Sequence, residues 1–172
     1  AYLIDLPNRD PRDLARSATV TASSEGTRAG GEKLTAGNVT NGYARPTGGG
    51  ANVWSPRPGS DTHWLQLEWP QPQTFNVVHT AFANKNVAPQ TFRLEIWQDD
   101  AWHTVAQVSA GRHRRRVLGL DAVTTAKLRW VFSGTATVGE VRVYDEPPQV
   151  VARYRRSSAR SPLSPAPDSV RS

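Results

Sequence analysis

Short runs in which apolar and polar residues alternate follow one another along most of this chain, and they constrain its fold more than any other feature. Ala18, Val20 and Ala22 alternate with Thr19, Thr21 and Ser23, and in His63 to Trp69 the residues Leu65, Leu67 and Trp69 fall on one face while Trp64, Gln66 and Glu68 fall on the other. Further runs span Phe75 to Ala83, Phe92 to Gln98, Ala101 to Val108, Arg115 to Leu120, Lys127 to Phe132 and Val138 to Tyr144. A period of two places successive side chains on opposite sides of a pleated backbone, so each run predicts a strand with one buried face. Turn residues recurring about every ten positions predict an all-β sandwich. Asp99-Asp100, between two of these runs, predicts a hairpin turn, because Asp tolerates the backbone angles a tight turn requires. No window sustains the three-and-four spacing of a helix, so helix content is expected near zero, with a single turn allowed around Gly30 to Thr35.

A chain of 172 residues, 37% hydrophobic and 21% charged, suits one domain with a real core. The expected core unit is residues 14–146. Residues 1–13, with an apolar cluster (Tyr2, Leu3, Ile4, Leu6) followed by prolines among charges, are read as a strap or linker. Residues 147–172 are rich in Ser, Pro and Arg and cannot bury enough apolar surface to offset their ordering entropy, so a disordered tail is expected there. The net charge of +6 is concentrated in that tail and in Arg112, Arg114, Arg115 and Arg116. A solvated charge run is expected, with no nucleic-acid partner. Cysteine is absent, so neither a disulfide nor a thiolate enters the chemistry. No apolar stretch approaches the roughly 20 residues a bilayer-spanning helix needs, and no membrane insertion is expected.

The sequence offers no catalytic constellation. There is no Gly-x-Ser-x-Gly elbow, His-Glu-x-x-His helix or phosphate-cradling loop. His63, His79, His103 and His113 lie on different runs at no metal-ligand spacing. The adjacent carboxylates Asp99 and Asp100 are explained by their turn. The chain is therefore expected not to be an enzyme.

Two segments roughly a hundred residues apart carry the most specific signal: AGNVTNGYARPTGGGANVWSP, from Ala36 to Pro56, and VGEVRVYDE, from Val138 to Glu146. An Asn-Gly turn, a glycine-rich loop and a Trp, answered by a Glu opening a late β run, resemble the coagulation-factor C-type or discoidin domain. The resemblance spans about Leu14 to Asp145. It implies a galactose-binding-like jelly roll of about eight mainly antiparallel strands, the fold of many bacterial carbohydrate-binding modules. It also implies a structural calcium ion where the loop meets the last strand. Asn41 stands where the family commonly has an Asp, Glu140 matches the Glu opening the last strand, and Gly139 would add a carbonyl. Calcium wants six to eight oxygens with some carboxylate charge, and a neutral Asn41 leaves Glu140 as the main anion. A weak or vestigial calcium site and a metal-free loop held by Asn41 and Glu140 are about equally expected.

By the same resemblance, ligands bind on loops at one end of the sandwich. Arg45, Asn52, Arg57, Asn84 and Lys85 are the candidate contacts, since planar amides and guanidiniums make paired hydrogen bonds to vicinal hydroxyls. Of the six tryptophans, Trp54, Trp64, Trp69, Trp102 and Trp130 are expected inward, by resemblance or by alternation, and Trp97 is expected exposed or covered by the N-terminal strap. The expected function is a non-catalytic carbohydrate-binding or adhesion module, an extracellular or cell-surface accessory domain of a larger bacterial enzyme. The alternative is a structural module docking on a parent catalytic domain or protein partner; anionic-lipid binding is disfavoured by loop tips of Gly, Pro, Asn and Arg.

Overall fold

A computed structural model describes residues 8–44, 50–83 and 88–159. The strands are β1 (Thr19–Ala22), β2 (Gly26–Thr27), β3 (Lys33–Leu34), β4 (Thr62–Phe82), β5 (Gln90–Gln98), β6 (Ala101–Gly111), β7 (Arg115–Ser133) and β8 (Val138–Tyr144). Short 3-10 turns at Leu14–Ser17 and Ala36–Thr40 stand in place of the single turn expected around Gly30 to Thr35, and the small β2–β3 pair fills that stretch instead. The all-β sandwich expected from the alternation is the fold observed.

Two strands are longer than the runs predicted. β4 joins two expected runs through Pro70 and Pro72, and β7 joins two through residues 121–126. Proline cannot donate to a ladder, so the register of β4 against β7 breaks between Glu68 and Gln73. Each long strand changes partners across its break. Residues 62–68 of β4 pair with β1 and with residues 127–133 of β7, while residues 77–82 pair with β8 and, as far as Ala81, with the first part of β7. The bonded order β1-β4-β7-β5-β6, with β8 added on β4, therefore folds into a five-stranded layer and a three-stranded layer.

The core lies between those layers. Leu65, Leu67, Leu94, Ile96, Leu128 and Phe132 from the larger layer are buried against Val78, Phe82, Leu118, Val141 and Val143 from the smaller. Phe82 meets Phe92 and Phe132 across the gap with ring centroids 6.1 and 6.4 Å apart. Asp99 and Asp100 both carry positive φ, 51° and 57°, joining Gln98 to Ala101 in the predicted hairpin.

The first part of the tail departs from expectation, and residues 160–172 lie outside the described residues. Residues 148–159, expected to be disordered, form helix α1 (Pro148–Ala159), which packs on β7. Val151 and Tyr154 lay a short apolar stripe on Val77, Val117 and Tyr144, on the outer side of the three-stranded layer. The helix sits so close that a Cβ on Gly119 would lie 2.7 Å from the Val151 carbonyl oxygen. Two residues three apart are too brief a stripe to stand out as helical periodicity, and tertiary packing supplies the stability an isolated helix of this length lacks.

The described part of the strap is stitched to the domain. Asn8 N–H donates to the Gly42 carbonyl at 2.6 Å, and buried Asp13 accepts from Ala15 N–H and Val143 N–H at 3.0 Å each. The Trp69 indole closes the seam by donating to the Leu14 carbonyl at 2.8 Å.

Candidate ligand-binding site

Strand pairing gathers the connecting loops at one end of the sandwich. Gly134 N–H donates to the Asp61 carbonyl at 2.7 Å, Ala83 N–H to Thr137 at 3.1 Å and Phe82 N–H to Arg114 at 2.7 Å. The long loop before β4 is pinned there by the buried Trp54, which exchanges backbone bonds with Val138 at 2.8 and 2.9 Å. The Trp54 indole N–H donates to the Ser24 carbonyl at 2.9 Å, and Asn38 Nδ2 donates to the Val53 carbonyl at 2.9 Å.

The predicted ligand contacts fare differently at this end. Asn52 holds a left-handed backbone, φ 49°, and its Oδ1 accepts from Asn41 Nδ2 at 3.1 Å, so the two asparagines shape the loop together. Arg57 is exposed, with its N–H donating to Ser24 Oγ at 2.9 Å. Arg45, Asn84 and Lys85 lie outside the described residues.

A shallow surface depression, too tight to enclose a water molecule, lies between the end of β4, the start of β5 and the turn from β6 to β7. It is lined by the apolar Phe82, Phe92 and Val108 together with Gln90, Gly111, His113 and Arg116. Arg116 Nε is buried there without a hydrogen-bond partner. Arg116 was read from sequence as part of a solvated charge run, and His113 as one of four histidines at no metal-ligand spacing. Their place at the start of β7, across a short turn from β6, is the signal that brings them to the loop end.

At the junction with the last strand, Gly139 is the extra residue of a bulge, because Ala81 opposes Glu140 while Phe82 opposes Val138. A Cβ at Gly139 would sit 3.1 Å from the Ala44 carbonyl oxygen, so the loop presses on the strand at this point. Glu140 is 2% exposed, and both its oxygens are taken. Oε1 accepts from Arg142 Nε at 2.6 Å and Oε2 from Arg115 Nη2 at 3.2 Å. Asn41 Oδ1 accepts from Tyr43 N–H at 2.9 Å. Burial and then the Arg115 and Arg142 charges hold the neighbouring His79 imidazole down to about 4.

This donor set does not fit calcium. The ion requires several oxygens and net negative charge, whereas among the described residues the one carboxylate at this junction, Glu140, is already paired with two guanidiniums. A dication about 4 Å from one guanidinium would be repelled by about 8 kcal/mol at the effective dielectric typical of protein sites. Among the described residues, no group of three His, Cys, Asp or Glu side chains could hold a metal ion.

The tryptophans divide in two. Trp54, Trp69 and Trp130 are buried, as expected. Trp64 and Trp102, expected inward, instead stand half-buried with Trp97 on the outer face of the five-stranded layer. The pleat requires it, since Leu65 and Ile96 claim the core side and Trp97 opposes Trp102 across the β5–β6 ladder. Arg129 lies over Trp64 at 4.9 Å and over Trp102 at 3.9 Å, and Lys127 lies over Trp97 at 5.7 Å. These rings are cation-stacked cladding rather than a bare sugar platform. The strap does not cover them in its described part, which lies against Gly42 and Val143.

Two bent strands shared between five- and three-stranded layers, with loops gathered at one end, define a jelly-roll architecture. Residues 19–154 match the F5/8 type C domain family, and the chain belongs to it. Solved structures share the fold. Chitosan-binding module 1 of a chitosanase/glucanase from Paenibacillus sp. IK-5 is 22% identical with a TM-score of 0.63, the likeness covering 77% of this chain and 98% of that one. CpGH89CBM32-5 from Clostridium perfringens, solved with GalNAc-beta-1,3-galactose, is 17% identical with a TM-score of 0.64, covering 77% of this chain and 99% of that one. A GH29 fucosidase from Ruminococcus gnavus, solved with fucose, is 15% identical with a TM-score of 0.62; the likeness covers 78% of this chain and 26% of the enzyme. A comparison with curated proteins found no match.

Proposed function

We propose that this chain is a non-catalytic carbohydrate-binding module that holds a glycan at the loop end. The observation that carries this reading is the depression at the end of β4, the start of β5 and the β6–β7 turn, where the apolar Phe82, Phe92 and Val108 adjoin the planar polar groups of Gln90, His113 and Arg116. A pyranose has the matching character, with C–H faces that pack on apolar surface and a rim of hydroxyls that pair with amides and guanidiniums.

The depression is too shallow to enclose even a water molecule and would bury little of a ligand, so affinity is weak and gains from tethering. That fits an accessory domain which keeps a larger, secreted or surface-attached bacterial enzyme on its glycan. The occurrence of the same fold as about a quarter of a fucosidase chain supports that placement. Among the described residues no helix is long and apolar enough to cross a membrane.

The test is a glycan array on the full chain, followed by titration calorimetry of any hit against Arg116→Ala and Gln90→Ala. Binding lost by tenfold or more in both variants, with unchanged melting temperatures, is expected. Silence across the array from folded protein, or binding indifferent to both substitutions, would sink the assignment.

A further inference from the structure

The disagreement between the family's calcium site and this chain's donor set carries a positive reading. We infer that Arg115 and Arg142 clamp the buried Glu140 carboxylate in place of a divalent cation, making the junction between loop and last strand independent of calcium.

The clamp draws on the elements that must be joined there. Glu140 and Arg142 come from β8, and Arg115 comes from the start of β7, which does not pair with β8 but lies across β4 from it. The ion pairs thus bridge the two outer strands of the three-stranded layer over the central one, with Arg142 Nε at 2.6 Å and Arg115 Nη2 at 3.2 Å from separate carboxylate oxygens. One oxygen per guanidinium leaves neither half of the buried carboxylate unsatisfied, which is the condition under which a buried charge is tolerated.

The surroundings keep the clamp in place. Arg142 also feels the charges of Asp10 and Asp13 from the strap. On β4, His79 sits edge-on to Tyr144 at 5.4 Å and to Tyr154 of α1 at 6.0 Å, which closes the cluster from the helix side. The loop side is equally free of a need for metal, because Asn41 satisfies its amide on Tyr43 and Asn52 and Gly139 lets the loop approach without a bridging ion.

The experiment is thermal unfolding of the full chain in 5 mM calcium chloride and in 5 mM chelator, with calcium titration calorimetry alongside. The expected result is melting temperatures within about 1 °C of each other and no heat of binding. Arg142→Gln is expected to lower the melting temperature by several degrees, and by much less when introduced into Glu140→Gln, since only the intact pair couples. A rise of more than about 3 °C in calcium, or a calorimetric calcium isotherm, would overturn the inference. So would an Arg142→Gln variant as stable as wild type. Should Arg142→Gln fail to fold, the calcium arm on wild-type protein decides alone.

Discussion

The indole N–H of Trp130 donates to Thr80 Oγ1 at 2.8 Å, a bond that crosses the core from the five-stranded layer to the three-stranded one. Both residues are buried, at 0% and 1% exposure, so neither group has water to fall back on. Thr80→Val keeps the side-chain shape and removes the acceptor, leaving a buried N–H unpaired. We expect a loss of about 1–3 kcal/mol in urea unfolding. In a Trp130→Phe background the donor is already gone, and the same substitution should cost almost nothing. Equal losses in both backgrounds would show the bond to be idle.

Arg129 on the outer face stacks between Trp64 and Trp102 while donating to Gln66 Oε1 at 3.2 and 3.4 Å. Its planar fork does both at once, which a lysine ammonium cannot. Arg129→Ala should cost about 1–2 kcal/mol and change tryptophan fluorescence, with Arg129→Lys recovering only part. Glycan affinity should stay within about twofold, because the ladder lies on the sheet face and not at the loop end. A lost glycan signal in a folded Arg129→Ala protein would move the binding site to this face.

The strands were legible because burial on one face writes a period of two into Leu65-Leu67-Trp69 and Phe92-Leu94-Ile96, and no other structure reads that way. The bends of β4 and β7 were not. Pro70, Pro72 and the polar stretch around Thr124 look like loops, and only the pairing of Gln73 with Thr125 shows that the two strands turn together. The outward turn of Trp64 was legible in the alternation itself and was masked by the expectation that a large ring belongs in the core. At the candidate site, Glu140 and Asn41 stood out through the motif, but the partners of Glu140 did not. Arg115 lies 25 positions away, and one arginine in a run of four gives no sign that it is the one to reach a buried carboxylate.

Helix α1 is held by a close approach, and Gly119 is the place to test it. A methyl group there would meet the Val151 carbonyl oxygen at 2.7 Å and Arg155 at 3.2 Å, forcing the helix off the sheet. Gly119→Ala should expose Val77 and Tyr144, lower the melting temperature by several degrees and open the chain to proteolysis just after Pro147. Truncation after Glu146 should reproduce the thermal loss. Wild-type protease resistance in Gly119→Ala would mean that the helix tolerates the shift.

Stability should fall with acidification through His79. The imidazole is held at about 4 in the fold, mainly by burial and then by Arg115 and Arg142, against an ordinary 6.5. The unfolded chain therefore binds a proton that the folded chain refuses. The contribution of His79 is fully present above about pH 6.5 and is lost as pH drops toward 4, a difference of about 2–3 kcal/mol. Asp13 acts in the opposite sense, since burial raises its carboxyl above 3.8, and it offsets part of the loss only at the acid end of this window. Tyr144 and Tyr154 pack edge-on against the His79 ring. His79→Phe keeps those ring contacts and removes the titration, so its melting temperature should vary much less between pH 7 and pH 4.5 than that of wild type. Parallel profiles for the two proteins would assign the acid sensitivity to other groups.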